Sequence, residues 1–434
     1  MFPAEIDENR SAWNADLLPA EPPVPLMGST HADVAIVGGG FTGVSTAWHL
    51  SERFPDRRIV LLEARRLGNG ASGRNGGQVL NWIAGVHPSD PEDARRIYDL
   101  TRSGIDLVER LARDHAPAAG FTRNGCLEVY TDERRAEDAQ RKTADLAAAG
   151  VPLRWLGRDE LRLAGVVGAI LDPLAGQANG LALLRGLRVP LAARGVAIHE
   201  DTPVVSIEEG TSIRIATRRG EVRAGAVVLA TNAYSPALGY FRSGILPLHS
   251  HMVATDPLSA EDWRALGWGG ADAFNDDLDR IAFGCRTASG RIVFGGGSNA
   301  AYEYRFGGAS ASAARGAPSR AIRRTLEGYV PGATGLPLSH HWSGLLDLSF
   351  DRAPSIGVRA DARNVYYAIG YSGHGFTLGM LAGRVLCDLY AGDHEAWRNA
   401  PFYQRALPWI PPEPLRWIGY QVYTRATGRS PRRR

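Results

Sequence analysis

Two short apolar runs, separated by a glycine cluster and a helical stretch, constrain this chain more than any other feature. ADVAIVGGG reads as a buried strand, Asp33 to Val37, that runs into a turn. FTGVSTAWHLSERF follows as a helix closed by Pro55, and RIVLLEA, Arg58 to Ala64, is a second buried strand. Gly38, Gly40 and Gly43 form G-x-G-x-x-G between strand and helix, and Glu63 ends the next strand. Gly38 permits the tight turn, Gly40 admits a pyrophosphate to the backbone, and Gly43 lets helix and strand pack closely. The helix start offers free N–H groups to phosphate, and Glu63 can accept from a ribose 2′-hydroxyl. An acid there favours NAD or FAD over NADP.

A second glycine cluster, GASGRNGGQ from Gly70 to Gln78, follows closely. Read alone, it is a glycine-rich surface loop or a second cradle for a ligand that extends past its pyrophosphate, as FAD does. In a cradle, Ser72 donates to a phosphate oxygen, and Gly73, Gly76 and Gly77 admit a flat ring. Asn75 and Gln78 then offer amides to the flavin's polar edge.

The rest of the chain alternates in character. Residues 87–150 read as charged helices around the strand CLEVYTD, and Gly180–Gly195 as another helix. GAVVLA, from Gly225, has the continuous apolar character of a central parallel strand. Pro247 to Pro337 is mostly strand-like, and NVYYAIGYSGHGF leads into a long helix. We expect an α/β protein, α+β overall. A Rossmann-like domain built from 31–84, 180–240 and 340–395 is interleaved with an antiparallel-sheet substrate domain of 85–179 and 241–339. An arm (1–30) and a tail (396–434) flank them. A formal net charge of +3 over 434 residues gives no reason to expect a nucleic-acid partner. Three scattered cysteines and an acidic, proline-rich start fit a reduced, cytoplasmic protein without a signal peptide.

ADVAIVGGGFTGVSTAWHL, LLEARRLGNGASGRNGGQ, VVLATNAYSP and GYSGHGFTLGMLAGRVL, in that order, resemble the FAD-dependent D-amino-acid oxidase superfamily. The likeness is greatest to its γ-glutamylputrescine oxidase branch, with glycine and sarcosine oxidases as relatives. It implies a glutathione-reductase-2, p-hydroxybenzoate-hydroxylase-like fold, an FAD cofactor and oxidation of a carbon–nitrogen bond. By motif match, Gly38, Gly40, Phe41, Thr42, Gly43, Glu63, Ala64, Arg65, Ser72, Asn75, Gly76, Gly77 and Gln78 contact FAD. Val204 or Val205 lies on the adenine side, and Ala230, Thr231 and Asn232 lie beside the ADP half. Gly373, His374, Gly375, Phe376 and Thr377 open a helix at the flavin end, where a helix start stabilises charge arriving at N1 and the C2 carbonyl.

Three departures from the sarcosine-oxidase relatives shape the expected chemistry. The stretch matching their flavin-linking cysteine, His340 to Gly357, has no cysteine, so FAD is expected to be noncovalent. The single lysine, Lys142, is far from every motif, which leaves oxidase and dehydrogenase both open. Thr377 replaces a basic, carboxylate-binding residue, which favours an amine without an adjacent carboxylate, such as a polyamine derivative. A non-catalytic flavin-binding protein is a third reading. Expected partners are thus an amine and either dioxygen or an electron carrier, without a metal. His374, Trp342 and His251 are the candidate catalytic residues, and Trp82, Tyr302, Trp342 and Tyr371 a candidate aromatic box. The apolar and basic tail is expected to pack on the body rather than touch a membrane.

Overall fold

The computed structural model describes residues 6–19, 21–309 and 316–427. Its first sheet has the strand order Ser355–Arg359, Ala362–Ile369, Gly220–Leu229, Gly28–Val37, Ile59–Leu62, Ala197–His199. All neighbours are parallel except the first pair. Both faces are buried, which explains the unbroken apolar runs. Val34, Ile36, Ile59, Leu61, Ala226 and Val228 face a helical layer, while Ala35, Val37, Val60, Leu62, Val227 and Leu229 face the opposite side. That opposite side is closed by the antiparallel strands Val204–Glu208 and Ile213–Thr217, the latter paired with the outer half of Gly220–Leu229.

The helical layer comprises Phe41–Arg53, Gly375–Ala391 and Pro91–His115. Phe41–Arg53 and Gly375–Ala391 touch backbone to backbone: a Cβ on Gly383 would lie 2.3 Å from the Ser45 carbonyl carbon. Pro91–His115 begins as its sequence dictates, with Pro91 in the first turn and Asp90 accepting from the Glu92 and Asp93 N–H groups. The stretch 180–195 forms two short helices, Gly180–Gly186 and Arg188–Ala193. Pro190 cannot donate to the Gly186 carbonyl, so one continuous helix breaks there.

The second sheet has nine strands and is antiparallel except where Ala273–Asp276 pairs with Cys126–Tyr130. Its spine is Leu246–Thr255. This strand pairs on one side with Leu338–Leu348 and on the other, end to end, with Ile292–Gly296 and Tyr302–Tyr304. The expected 340–395 block therefore divides between the sheets: Leu338–Leu348 lies in the second, and the chain joins the first from Ser355. Pro91–His115, expected in the substrate domain, buries Ile105, Val108 and Leu111 in the helical layer of the first.

The arm is not loose. Asn9 and Ser11 donate to the Gly73 carbonyl, and the Trp13 indole donates to that of Asn75. In the tail, the helix Leu415–Thr427 lies on the edge of the second sheet, and residues 428–434 fall outside the described residues. Among the described residues, no helix is long and apolar enough to cross a membrane.

Candidate active site

The turn after Gly28–Val37 is built around glycine in the way its spacing predicts. Gly38 has φ +110°, and a Cβ there would lie 2.4 Å from the Ala230 carbonyl oxygen. A Cβ on Gly43 would lie 1.8 Å from the Gly38 oxygen, and one on Gly40 would lie 2.8 Å from Ser72 Oγ. The helix Phe41–Arg53 has no side-chain cap, because Gly40 holds the cap position. Ser72 Oγ instead accepts from the Phe41 N–H at 3.0 Å, which places its hydroxyl at the phosphate end of the turn.

Glu63 is held rigidly opposite. Its Oε2 accepts from the Gly39 N–H at 2.7 Å and its Oε1 from that of Arg65 at 2.9 Å. Burial, opposed by these hydrogen bonds, pushes its pKa up to about 6. Thr202 and Asp201 donate backbone N–H groups to the Glu63 and Arg65 carbonyls, which leads the chain to buried Val204 on the expected adenine side. Arg65 is exposed and its Nε donates to the Ile6 carbonyl; Ala64 is partly buried. Ala230 follows its strand directly, donating to Val37, and Thr231 and Asn232 open the turn beside Gly38.

The second loop holds its shape with side chains expected to reach the cofactor. Asn75 donates to the Ser72 carbonyl and accepts from the Gly77 N–H, both at 2.8 Å. Gln78 donates to the Phe274 and Gly284 carbonyls, both at 3.0 Å. These amide groups are thus committed to the protein, because a loop rich in glycine needs such braces to hold one conformation. Gly76 and Gly77 admit Phe283 and Trp13 at distances no Cβ would allow, so their close approaches are to side chains of this protein.

Two helix starts meet at the other end. The Phe41 and Phe376 rings stack 4.1 Å apart at 16°, and Thr42 Oγ1 and the Tyr371 hydroxyl are hydrogen-bonded at 2.7 Å. His374 occupies the N-cap of Gly375–Ala391 without capping it through its side chain, and the Thr377 hydroxyl is buried with no hydrogen-bond partner. Two adjoining helix starts concentrate partial positive charge and N–H donors in one place.

Asp347, which sequence reasoning did not single out, lies just behind this turn. It is fully buried, accepts from the Gly370 N–H at 2.6 Å, and is also held by the N–H groups of Tyr371 and Ser372. Burial pushes its pKa up to about 7. An acid inside the apolar run GLLDL is the signal that would have found it.

Strand alternation separates the other expected catalytic residues. Met252 and Trp342 are opposite one another on the face toward the second loop, where the Trp342 indole donates to the Arg74 carbonyl at 3.0 Å. His251 pairs with Ser343 one position away and so points to the opposite face, with Nδ1 3.2 Å from His341 Nε2 and Nε2 3.4 Å from Glu303. The four aromatics of the expected box are scattered. Trp82 lies against Tyr98, Tyr302 donates to Ile281, Trp342 sits in the core beside Trp13, and Tyr371 bonds Thr42.

An extended dinucleotide fits what remains. The glycines bring the backbone of the first turn against Ser72 and Glu63, Glu63 is fixed by the Gly39 and Arg65 N–H groups, and the unpartnered Thr377 hydroxyl lies within the first turn of the second helix. A sequence profile for the DAO family, described as FAD dependent oxidoreductase, matches residues 33–389. The gamma-glutamylputrescine oxidoreductase of Escherichia coli (strain K12) is 32% identical over 403 residues, covering 87% of this chain and 88% of that protein. The glycine oxidase of Geobacillus kaustophilus is 25% identical over 388 residues, 85% of this chain and 96% of its own. The crystal structure of glycine oxidase from Geobacillus kaustophilus superposes with a TM-score of 0.72 at 23% identity, covering 86% of this chain and 98% of that one. L-proline dehydrogenase from P. horikoshii superposes at 0.69 and 21%, covering 88% and 96%. The glycine turn with its buried acid and the uncapped second helix therefore belong to a member of the DAO family of FAD-dependent oxidoreductases, which act on amine and amino-acid carbon–nitrogen bonds.

Proposed function

We propose that this protein oxidises the carbon–nitrogen bond of an amine of the polyamine or γ-glutamyl-amine class to an imine, which water hydrolyses. FAD, held noncovalently, would supply the hydride acceptor, with dioxygen as the final oxidant and hydrogen peroxide as its product. The observation that carries this reading is the uncapped start of Gly375–Ala391 beside that of Phe41–Arg53. There the N–H groups of Gly373 and Gly375 stabilise arriving negative charge, while that of His374 donates to the Tyr371 carbonyl and holds the turn. The substrate must bind as the neutral amine, since an ammonium has no lone pair to help expel hydride.

The substrate class is supported by what surrounds the turn. Leu346 Cδ1 lies 3.9 Å from the Cβ position of Gly373, Thr377 is uncharged, and the carboxyl of Asp347 lies behind the turn that carries His374. An α-carboxylate there would meet a buried acid and no arginine or lysine within the GYSGHGFT turn. The printed name of the Escherichia coli relative, gamma-glutamylputrescine oxidoreductase, points the same way.

One observation favours a dehydrogenase that passes its electrons to a quinone or carrier protein. The chain's single lysine, Lys142, is exposed on the outer helix Glu133–Ala148, so none is available to speed the reaction with oxygen. A panel of diamines, γ-glutamyl amines and D- and L-amino acids, scored by anaerobic bleaching of the flavin, tests the substrate class. Bleaching by amines, followed by peroxide and rapid recovery of colour in air, is expected. Bleaching by α-amino acids alone would refute the class, and slow recovery in air would replace oxidase by dehydrogenase.

A further inference from the structure

The helix Leu415–Thr427 faces the wrong way for a helix docked on a core. The side toward the protein carries tyrosines and polar groups rather than aliphatic ones, with the Tyr420 ring 5.6 Å from that of Tyr304. Tyr420 donates to the Tyr302 carbonyl at 3.2 Å, Tyr423 donates to Asp279 at 2.6 Å, and the Thr424 carbonyl accepts from Asn299 at 2.6 Å. Arg416 Nε donates to the Pro411 carbonyl on this same side. Leu415, Ile418 and Val422, spaced i, i+3 and i+7, form the opposite stripe and are 60%, 47% and 60% exposed. Trp417 and Trp409 are also exposed. Surface helices normally turn such a stripe inward.

Charge identifies what covers it. From Leu415 onward the sequence carries Arg416, Arg425, Arg429, Arg432, Arg433 and Arg434 and no Asp or Glu. The acids beside the helix are taken up within the protein: Glu413 accepts from the Tyr304 hydroxyl and the Trp417 N–H, and Asp279 pairs with Arg280 and Arg352 as well as Tyr423. A second copy of this chain would set two arginine clusters against each other. An anionic surface answers both features, because it receives aliphatic side chains below its headgroups and attracts arginine. Tryptophan is also a side chain that favours the membrane–water boundary.

We propose that Leu415–Thr427 is an interfacial anchor that lays Leu415, Ile418 and Val422 into an anionic lipid bilayer, with the arginines that follow meeting its headgroups. The FAD-loaded full chain is sedimented with phosphatidylglycerol–phosphatidylcholine vesicles and, separately, with phosphatidylcholine vesicles alone. Binding to the anionic vesicles only, weakening as salt rises, is expected. Ile418→Ser with Val422→Ser, and separately Arg432→Gln with Arg433→Gln and Arg434→Gln, should each lower partitioning about tenfold or more. The Ile418 and Val422 variant should keep the wild-type flavin spectrum and melting temperature, because these side chains are exposed on the face away from the body, and an unchanged flavin spectrum is required of the arginine variant as well. Failure to bind anionic vesicles, equal binding to both vesicle types, or binding indifferent to Ile418 and Val422 would each overturn the proposal. So would light scattering that shows a dimer split by the Ile418 and Val422 substitutions without any vesicle binding, since the stripe would then belong to a second copy.

Discussion

Replacing Glu63 with glutamine tests the cofactor cradle at its most constrained atom. The carboxylate accepts from Gly39 and Arg65 through different oxygens, so one amide cannot serve both N–H groups. One buried backbone donor would face an NH2 group, at a cost of roughly 1–3 kcal/mol, or about 5–150-fold in FAD affinity. The pH dependence adds a second readout. Glu63 titrates near 6 in the folded protein against an ordinary 4.5. The folded state therefore holds the proton more firmly than the unfolded chain. The group's contribution to stability is greatest below 4.5 and declines by about 2 kcal/mol as pH rises through 6. A ribose hydroxyl donating to the ionised carboxylate works in the opposite sense, so FAD should bind about tenfold more weakly at pH 5 than at pH 7. Calorimetric titration of apoprotein with FAD from pH 5 to 8 measures both effects. A Glu63→Gln protein that binds within twofold of wild type, or that keeps the wild-type pH slope, would refute the assignment.

Two further substitutions probe the flavin end. Gly383→Ala places a methyl 2.3 Å from the Ser45 carbonyl carbon, and neither backbone can give way, so overpacking of about 1–3 kcal/mol should outweigh the helix propensity of alanine. Its melting temperature should fall, whereas Gly419→Ala, with nothing within 4 Å, should raise it; a rise in both would contradict the close packing. Asp347→Asn keeps an acceptor for the Gly370 N–H without a charge to bury. Because the Asp347 carboxyl titrates near 7 when folded, its ionisation weakens the wild type as pH rises. The variant's melting temperature relative to wild type should be higher at pH 8 than at pH 5, and a pH-independent difference would count against burial of the ionised carboxyl.

Much of the first sheet was legible because parallel strands buried on both faces leave continuous apolar runs, as IVLL and AVVL do. The membership of Leu338–Leu348 was not legible. HHWSGLLDL suits either sheet, and its partner Leu246–Thr255 lies about ninety residues earlier in sequence. Side-chain direction was lost for a related reason. Whether His251 or Met252 faces the cofactor loop depends on a one-residue register that the composition of LHSHMVAT does not express. Asn75 and Gln78 were visible as amides beside glycine, but the partners that use those amides, from the carbonyl of Ser72 to those of Phe274 and Gly284, are set by tertiary packing.

The least legible feature is also the one that ties the site together. Asp347 at the end of a second-sheet strand holds the N–H groups of the turn at 370–372, and Tyr371 of that turn bonds Thr42 in the first turn of the nucleotide helix. Three segments that are remote in sequence thus fix the spacing between the two helix starts. Each start, taken alone, repels its neighbour, since both present partial positive charge. Glycine contact lower in the helices brings them together, and the stacked Phe41 and Phe376 rings fill the space between their first turns. Asp347, its carboxyl pushed up to about 7 by burial, is held by backbone donors and therefore unable to swing toward a substrate. The site accordingly sets the adjoining starts of two helices over a buried carboxyl that backbone donors hold in place, and that spacing is fixed by tertiary packing rather than by any one motif.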